Sequence, residues 1–170
     1  MKKKFVYFVM LFCAIVLQTS VLPLFSSTYA IGDVVLMFVL AGAVIDGFPL
    51  FFSWSIFIGI IFDLVNYTTI GIHSIIFLLV VYFVSFFSRR FSIELKGVGM
   101  VLLVLFVVAA TLISRTVMML LIDFDMGMPL AHLQEIGNLK IISKQIISNL
   151  FLFFLCFIVF KKAKKFFAII

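Results

Sequence analysis

The sequence predicts an all-α integral membrane protein with six transmembrane helices. Three observations predict this fold class: 66% of the 170 residues are hydrophobic, only 12% are charged, and the mean hydropathy is +1.39. A soluble domain carries about 25% charged and about 45–50% apolar residues. A spanning helix needs about 20 apolar residues, so a chain of this length holds about six with tight loops. We therefore expect a single membrane domain over residues 1–170.

The helices are bounded by charged residues and by turn-forming residues. The first follows the basic N-terminus and ends before a polar stretch that contains Pro23. The apolar stretch 34–62 is too long for one helix. The tetrapeptide DGFP, Asp46 to Pro49, divides it, because glycine and proline favour a turn and a new helix start. The six helices are predicted near residues 5–22, 33–46, 49–65, 70–88, 98–122 and 143–160.

The distribution of basic residues predicts that both termini are cytoplasmic. Six helices place 10 of the 13 basic residues inside, as the positive-inside rule requires: Lys2, Lys3, Lys4, Arg89, Arg90, Lys96, Lys161, Lys162, Lys164 and Lys165. A single span over 34–62 would move RRFSIELK, residues 89–96, outside and remove the bias. A cleaved signal peptide is the alternative for the first helix, but its apolar run of about 18 residues exceeds the usual 7–15, which favours retention.

Polar side chains are predicted to gather at one depth in the outer half of the bundle. The candidates for a partner-binding or structural polar cluster are Gln18, Gly59, Asp63, Arg115, Gln145 and Asn149. Gln145 and Asn149 are four residues apart and share one helix face. A charge in the membrane is usually paired, so we expect Asp63 and Arg115 to be coupled, directly or through Gln18 and Asn149. Two alternatives stay open: Asp63 reaches interfacial water, and Arg115 snorkels outward.

Gly59 and Asp63 lie one helical turn apart and predict a seam at which helices dock. Glycine has no side chain, so a neighbouring helix can approach closely. The docked helix could belong to this chain or to a partner. The inner halves of the helices carry no polar relay, which argues against proton or ion transport. We expect Gly59→Leu to do more damage than Asp63→Asn, because an amide keeps one acceptor.

The remaining polar residues suggest local roles. Asp33 is expected to cap the second helix, and His73 to form an interfacial hydrogen bond. Asp123 and Asp125 are assigned to a solvated turn, since the other ligands of a calcium loop are lacking. The segment 128–136, MPLAHLQEI, could form a short interfacial helix. Cys13 and Cys156 are expected to pack within helices.

No motif in the sequence indicates an enzyme. The serine and aspartate motifs of intramembrane proteases and the phosphate-binding glycine loop are missing, and two histidines are too few for a metal cluster. We therefore expect no catalytic residues, no metal and no cofactor. The basic excess is explained by orientation and by contact with the anionic lipid bilayer, and it does not indicate nucleic acid.

Three stretches resemble the rod-shape-determining MreD family. They are LQTSVLPLF, residues 17–25; GDVVLMFVLAGAVIDG, residues 32–47; and GIIFDL with IGIH, within residues 59–73. The family has L-Q near the end of helix one, P-D-L before helix two, and G-x-x-x-D-L followed by L-G before helix four. Gln18, Asp33, Gly59, Asp63, Leu64 and Gly71 match, whereas Gly32 replaces the usual proline. The resemblance covers mostly residues 15–90.

The resemblance implies a non-enzymatic scaffold of the bacterial cell-wall elongation machinery, in the cytoplasmic membrane, that maintains rod shape. Such a scaffold docks the transmembrane segment of an MreC-like bitopic protein. Indirect partners would be an MreB-like actin homologue, a RodA-type glycosyltransferase and a penicillin-binding transpeptidase. The family fold also resembles the S components of energy-coupling-factor transporters, which gives the alternative of a vitamin-binding subunit. The short outer loops favour the scaffold, because they lack aromatic or polar clusters that would enclose a vitamin.

The predicted orientation can be tested with single cysteines in a variant that carries Cys13→Ala and Cys156→Ala. In intact cells, an impermeant thiol reagent should label Asp125→Cys and should label Lys162→Cys only after the membrane is permeabilised. Labelling of Asp125→Cys only after permeabilisation would reverse the predicted orientation.

Overall fold

The computed structural model describes residues 2–25, 32–88, 98–126 and 139–167, with side chains over 5–23, 32–87, 99–120 and 139–167. All regular secondary structure in these ranges is helical, which confirms the predicted all-α class. Three sequence predictions fall outside the described residues: the cytoplasmic location of segment 89–96, the short interfacial helix over 128–136, and the turn that holds the side chains of Asp123 and Asp125.

Six helices follow one another along the described chain. Helix α1 is Lys2–Val16, and it continues through a π-helical turn, Leu17–Val21, into one more turn, Leu22–Phe25. The others are α2, Val34–Asp46; α3, Phe48–Asn66; α4, Ile72–Ser88; α5, Val98–Met126; and α6, Leu139–Phe166. Three helical stretches are long and apolar enough to cross a membrane: Phe48–Asn66, Gly99–Leu120 and Leu139–Phe166. Shorter apolar stretches lie in α1, α2 and α4.

The stretch 34–62 forms two helices, as the DGFP tetrapeptide predicts. Gly47 separates α2 from α3 with a φ of 80°, a backbone conformation that glycine adopts without strain. Pro49 lies in the first turn of α3, where its missing N–H costs no hydrogen bond.

Helix α2 is the centre of the bundle. Every residue of 34–43 is buried, and α2 packs against each of the other five described helices. At about 1.5 Å per residue its 13 residues span about 20 Å, less than the roughly 30 Å of a hydrocarbon core. A helix that is apolar on all sides and is enclosed by other helices needs no lipid-facing side.

The other five helices surround α2. Helices α3, α4, α5 and α6 pack consecutively. Helix α1 closes the ring, because the ring of Tyr7 contacts Phe51 of α3 and Phe160 of α6. Large apolar side chains are exposed on the outside of the ring, among them Phe12, Ile75, Val101 and Phe151. An exterior this apolar is the distribution expected of a bundle that is solvated by lipid.

Candidate functional site

Buried polar side chains gather at both ends of α2. We call the end that holds the start of α2 the Asp33 end, and the opposite end the Asp46 end. Helix α1 runs antiparallel to α2, because Tyr7 bonds the last residue of α2 and Gln18 bonds its start. Helix α6 runs parallel to α2, because Asn149 bonds the start of α2 and Lys164 bonds its last residue. The predicted polar cluster lies at the Asp33 end.

The first N–H groups of α2 are capped by three different segments of the chain. Asp33 Oδ1 accepts from Leu36 N at 2.9 Å, which confirms the predicted N-cap. Gln18 Oε1 of α1 accepts from Val35 N at 2.8 Å, and Asn149 Oδ1 of α6 accepts from Asp33 N at 2.7 Å. A helix start lacks intrahelical partners for its first N–H groups, and a buried start cannot use water. Gln18 and Asn149 therefore complete the cap of α2.

The π-helical turn of α1 carries the Gln18 cap. Gln18 is its second residue, and the side chain of the next residue, Thr19, donates back to Ile15 O at 2.9 Å. A π turn inserts one extra residue and so changes the direction of the side chains that follow it. Gln18 thus lies at the irregularity in α1, beside the start of α2.

Asn149 joins three helices at the Asp33 end. It is fully buried, and its Nδ2 donates to Thr111 Oγ1 of α5 at 2.9 Å while its Oδ1 caps α2. Thr111 in turn donates to Val107 O of its own helix at 2.8 Å. The Asn149 amide thereby uses both its donor and its acceptor within the bundle.

Asp63 caps the start of α4. Its carboxylate is fully buried and accepts from Gly71 N at 2.7 Å, from His73 N at 3.2 Å and from Thr68 Oγ1 at 3.0 Å. His73 Nδ1 lies 2.5 Å from Asp63 Oδ1. The positive end of the α4 dipole faces this carboxylate. That contact explains how an acid is tolerated at the C-terminal end of α3, where its own helix dipole is unfavourable.

The turn 67–71 brings α4 back to Asp63. Tyr67 adopts a left-handed conformation with a φ of 55°, and Gly71 has a φ of 107°. Asp63 O accepts from Thr68 N at 3.1 Å, and Gly71 O accepts from Ile75 N at 3.0 Å as α4 begins. His73 also lies within electrostatic range of Asp33, so the starts of α2 and α4 are neighbours.

Gly59 allows the close approach of α4 to α3. A Cβ atom at Gly59 would overlap the backbone N and Cα of Ser74. Ser74 Oγ donates to Ile56 O of α3 at 3.1 Å, which fixes the two helices at this separation. The helix that occupies the seam beside Gly59 and Asp63 therefore belongs to this chain.

Arg115 and Gln145 form a separate contact between α5 and α6. Arg115 Nη1 donates to Gln145 Oε1 at 2.7 Å. The expected direct pair between Asp63 and Arg115 is wrong, because both Asp63 oxygens face the start of α4 instead. The physical reason is proximity: a turn of five residues places N–H donors and an imidazole beside Asp63. The proposed links, Gln18 and Asn149, are bonded to α2.

Sequence reasoning missed the polar contact at the Asp46 end. Asp46 Oδ2 accepts from Tyr7 Oη at 2.5 Å, and Asp46 Oδ1 accepts from Lys164 Nζ at 2.6 Å. Asp46 was assigned to a turn, and its two partners are 39 and 118 residues away in sequence. The predicted topology could have indicated this contact, because it places Tyr7, Asp46 and Lys164 near the same membrane surface.

The chemistry of these contacts is that of helix capping and helix pairing. Among the side chains that the structure describes, no group of three or more His, Cys, Asp or Glu residues is placed to hold a metal ion. Comparisons with family models, with curated proteins and with solved structures found no match.

Replacing Gly59 should destabilise the bundle. Gly59→Leu forces α4 away from α3, and overpacking of this kind costs about 1–3 kcal/mol or more. For a chain of this size, that cost corresponds to a melting temperature in detergent about 3–10 °C lower. Ile60→Leu, at a neighbouring half-exposed position, is the matched control and should leave the melting temperature unchanged. Equal melting temperatures for Gly59→Leu and the wild type would contradict the close approach.

Double-mutant cycles should identify the partner of Asp63. Asp63→Asn removes one acceptor oxygen and should cost about 1–3 kcal/mol of unfolding free energy. Combined with His73→Phe, which keeps the ring between Phe62 and Phe77, it should show a coupling of about 0.5–3 kcal/mol. Combined with Arg115→Gln, it should be additive within about 0.5 kcal/mol. Additivity with His73→Phe together with coupling to Arg115→Gln would show that Asp63 pairs with Arg115.

Proposed function

We propose that this protein is a non-enzymatic membrane scaffold of the bacterial cell-wall elongation machinery. In this proposal the six helices form a multi-pass bundle in the cytoplasmic membrane with both termini inside. The bundle docks the transmembrane segment of an MreC-like bitopic protein, and it maintains cell shape through the MreB-like, RodA-type and transpeptidase partners. The observation that carries the proposal is that the polar side chains at the Asp33 end are bonded to helix starts and neighbouring helices of this chain.

Bonding within the chain favours a structural role over a chemical one. A catalytic or transport site needs polar groups that can exchange partners with a substrate or an ion. Asp63 instead accepts four contacts from the α3–α4 junction. Asn149 uses its donor and its acceptor on α5 and α2. A bundle fastened in this way can present a fixed surface to a partner.

Most of the residues that match the MreD family motif make contacts that hold the helices of this chain together. Gln18 and Asp33 cap α2. Gly59, Asp63 and Gly71 form the junction of α3 and α4. The sixth matching position, Leu64, is exposed on the outside of α3. Five of the six matching positions therefore hold helices of this chain together. A motif whose residues hold helices together specifies how those helices are arranged, so the match supports the proposal that this chain has the fold of the MreD family.

A docked partner helix would lie on the apolar exterior of the ring. The seam beside Gly59 and Asp63 is filled by α4, so it offers no room for a second helix. The exterior carries large exposed side chains on several helices, including Phe12 on α1 and Phe151 on α6. Helix association in lipid depends on close packing, so one face of this exterior should carry the partner.

Photocrosslinking can test the scaffold role and locate that face. A photoreactive amino acid is placed at one exposed position on each of four helices: Phe12, Ile75, Val101 and Phe151. The MreC-like protein should crosslink at one or two of these positions and copurify in mild detergent. An unrelated single-pass protein expressed at the same level is the control. The absence of any partner crosslink and of copurification would refute the scaffold.

The same purified material tests the alternative function. A vitamin-binding subunit should retain a small molecule that native mass spectrometry detects, and the ligand should raise the melting temperature. A bound vitamin without partner crosslinks would replace the scaffold by the transporter subunit.

A further inference from the structure

Helix α6 ends in a basic segment at the Asp46 end. The stretch 145–160, between Lys144 and Lys161, contains no charged residue. At about 1.5 Å per residue it is about 24 Å long. Beyond it, the helix continues to Phe166 and carries four lysines within five residues. If α6 crosses a membrane, this terminal segment lies at the level of the lipid headgroups.

The four lysines divide into one that faces the bundle and three that face outward. Lys164 points inward, where its Nζ bonds Asp46 at 2.6 Å beside Tyr7. Lys161, Lys162 and Lys165 are exposed. The bond to Asp46 therefore fixes the rotation of α6, and this rotation presents the other three lysines to the surroundings.

Exposed aromatic rings accompany the outward lysines. Phe166 is 84% exposed and Phe167 is 50% exposed, and their rings meet edge to face. Lys161 lies over the ring of Phe157, with its Nζ 4.7 Å from the ring centroid. The Lys161 ammonium is thus attracted to the face of an aromatic ring. Exposed phenylalanines beside exposed lysines are typical of a helix segment at a membrane interface.

We infer that Lys161, Lys162 and Lys165 form a binding site for the headgroups of anionic phospholipids. Lys161 and Lys165 are four residues apart on one helix face, where like charges repel unless an anion lies between them. The exposed phenylalanines favour a lipid over a nucleic acid or an acidic peptide, because acyl chains cover the rings while phosphate binds the amines. This inference rests on the membrane location in the proposed function but does not depend on the scaffold role.

Lipid titration of the purified protein tests the site. The protein in a neutral detergent is titrated with phosphatidylglycerol and, separately, with phosphatidylcholine of the same acyl chains, and bound lipids are counted by native mass spectrometry. The wild type should prefer phosphatidylglycerol by about fivefold or more. The triple variant Lys161→Gln, Lys162→Gln and Lys165→Gln should lose this preference.

Two control variants separate headgroup binding from folding and from total charge. The triple Lys→Arg variant at the same positions keeps the charges and should keep the preference. The double variant Lys140→Gln and Lys144→Gln removes charges from the other end of α6 and should also keep it. The inference is overturned if the triple Gln variant behaves like the wild type, or if the double variant loses the preference equally.

Membrane location is checked separately by alkaline extraction of cell membranes. A protein that is released without detergent would refute the membrane location, and with it this site. A protein that needs detergent but shows no preference for phosphatidylglycerol would overturn the lipid site and leave the scaffold proposal standing.

Discussion

The enclosure of α2 is the constraint on which the rest of the structure depends. A helix start in an apolar setting leaves N–H groups without partners, and each such group costs several kcal/mol if it stays unpaired. Helix α2 is surrounded on all sides, so only neighbouring helices can supply the acceptors. Gln18 of α1 and Asn149 of α6 supply them at the start. Tyr7 and Lys164 of the same two helices bond Asp46 at the other end. These contacts fix the rotation and the height of both flanking helices, with α1 antiparallel and α6 parallel to α2.

The junction of α3 and α4 obeys the same constraint. Asp63 provides acceptors for the start of α4, and Gly59 lets the two helices approach until those bonds are short. Asp33 and Asp63 thus cap two neighbouring helix starts, and His73 lies within electrostatic range of Asp33 while it bonds Asp63. Acidic residues in a strongly apolar chain suggest chemistry at first sight. Here their geometry is that of helix caps.

The features that depend on neighbouring residues were predicted correctly from the sequence. The contacts between residues that are far apart in the sequence were not. The DGFP break, the Asp33 cap and the helical class depend on neighbouring residues, and the structure confirms them. The partner of Asp63 was misassigned, because charge balance alone favoured Arg115 over N–H groups eight to ten residues away. Tyr7 and Lys164 were missed, since their bonds to Asp46 depend on helix rotation. The sequence of α2 does indicate its central position, because it is apolar on all sides and has no polar face that could turn toward water or a headgroup.

The capping contacts also bear on how far the bundle can move. A transport cycle that opened the Asp33 end would separate α1 or α6 from α2 and would expose Val35 N or Asp33 N without Gln18 or Asn149. No water is available in an apolar interior to replace those acceptors, so the open state would carry the cost of the broken bonds. The Asp46 end would resist the same motion, because Lys164 and Tyr7 both bond one carboxylate. A bundle fastened at both ends of its central helix favours a single arrangement, and a single arrangement suits a surface on which other membrane proteins assemble.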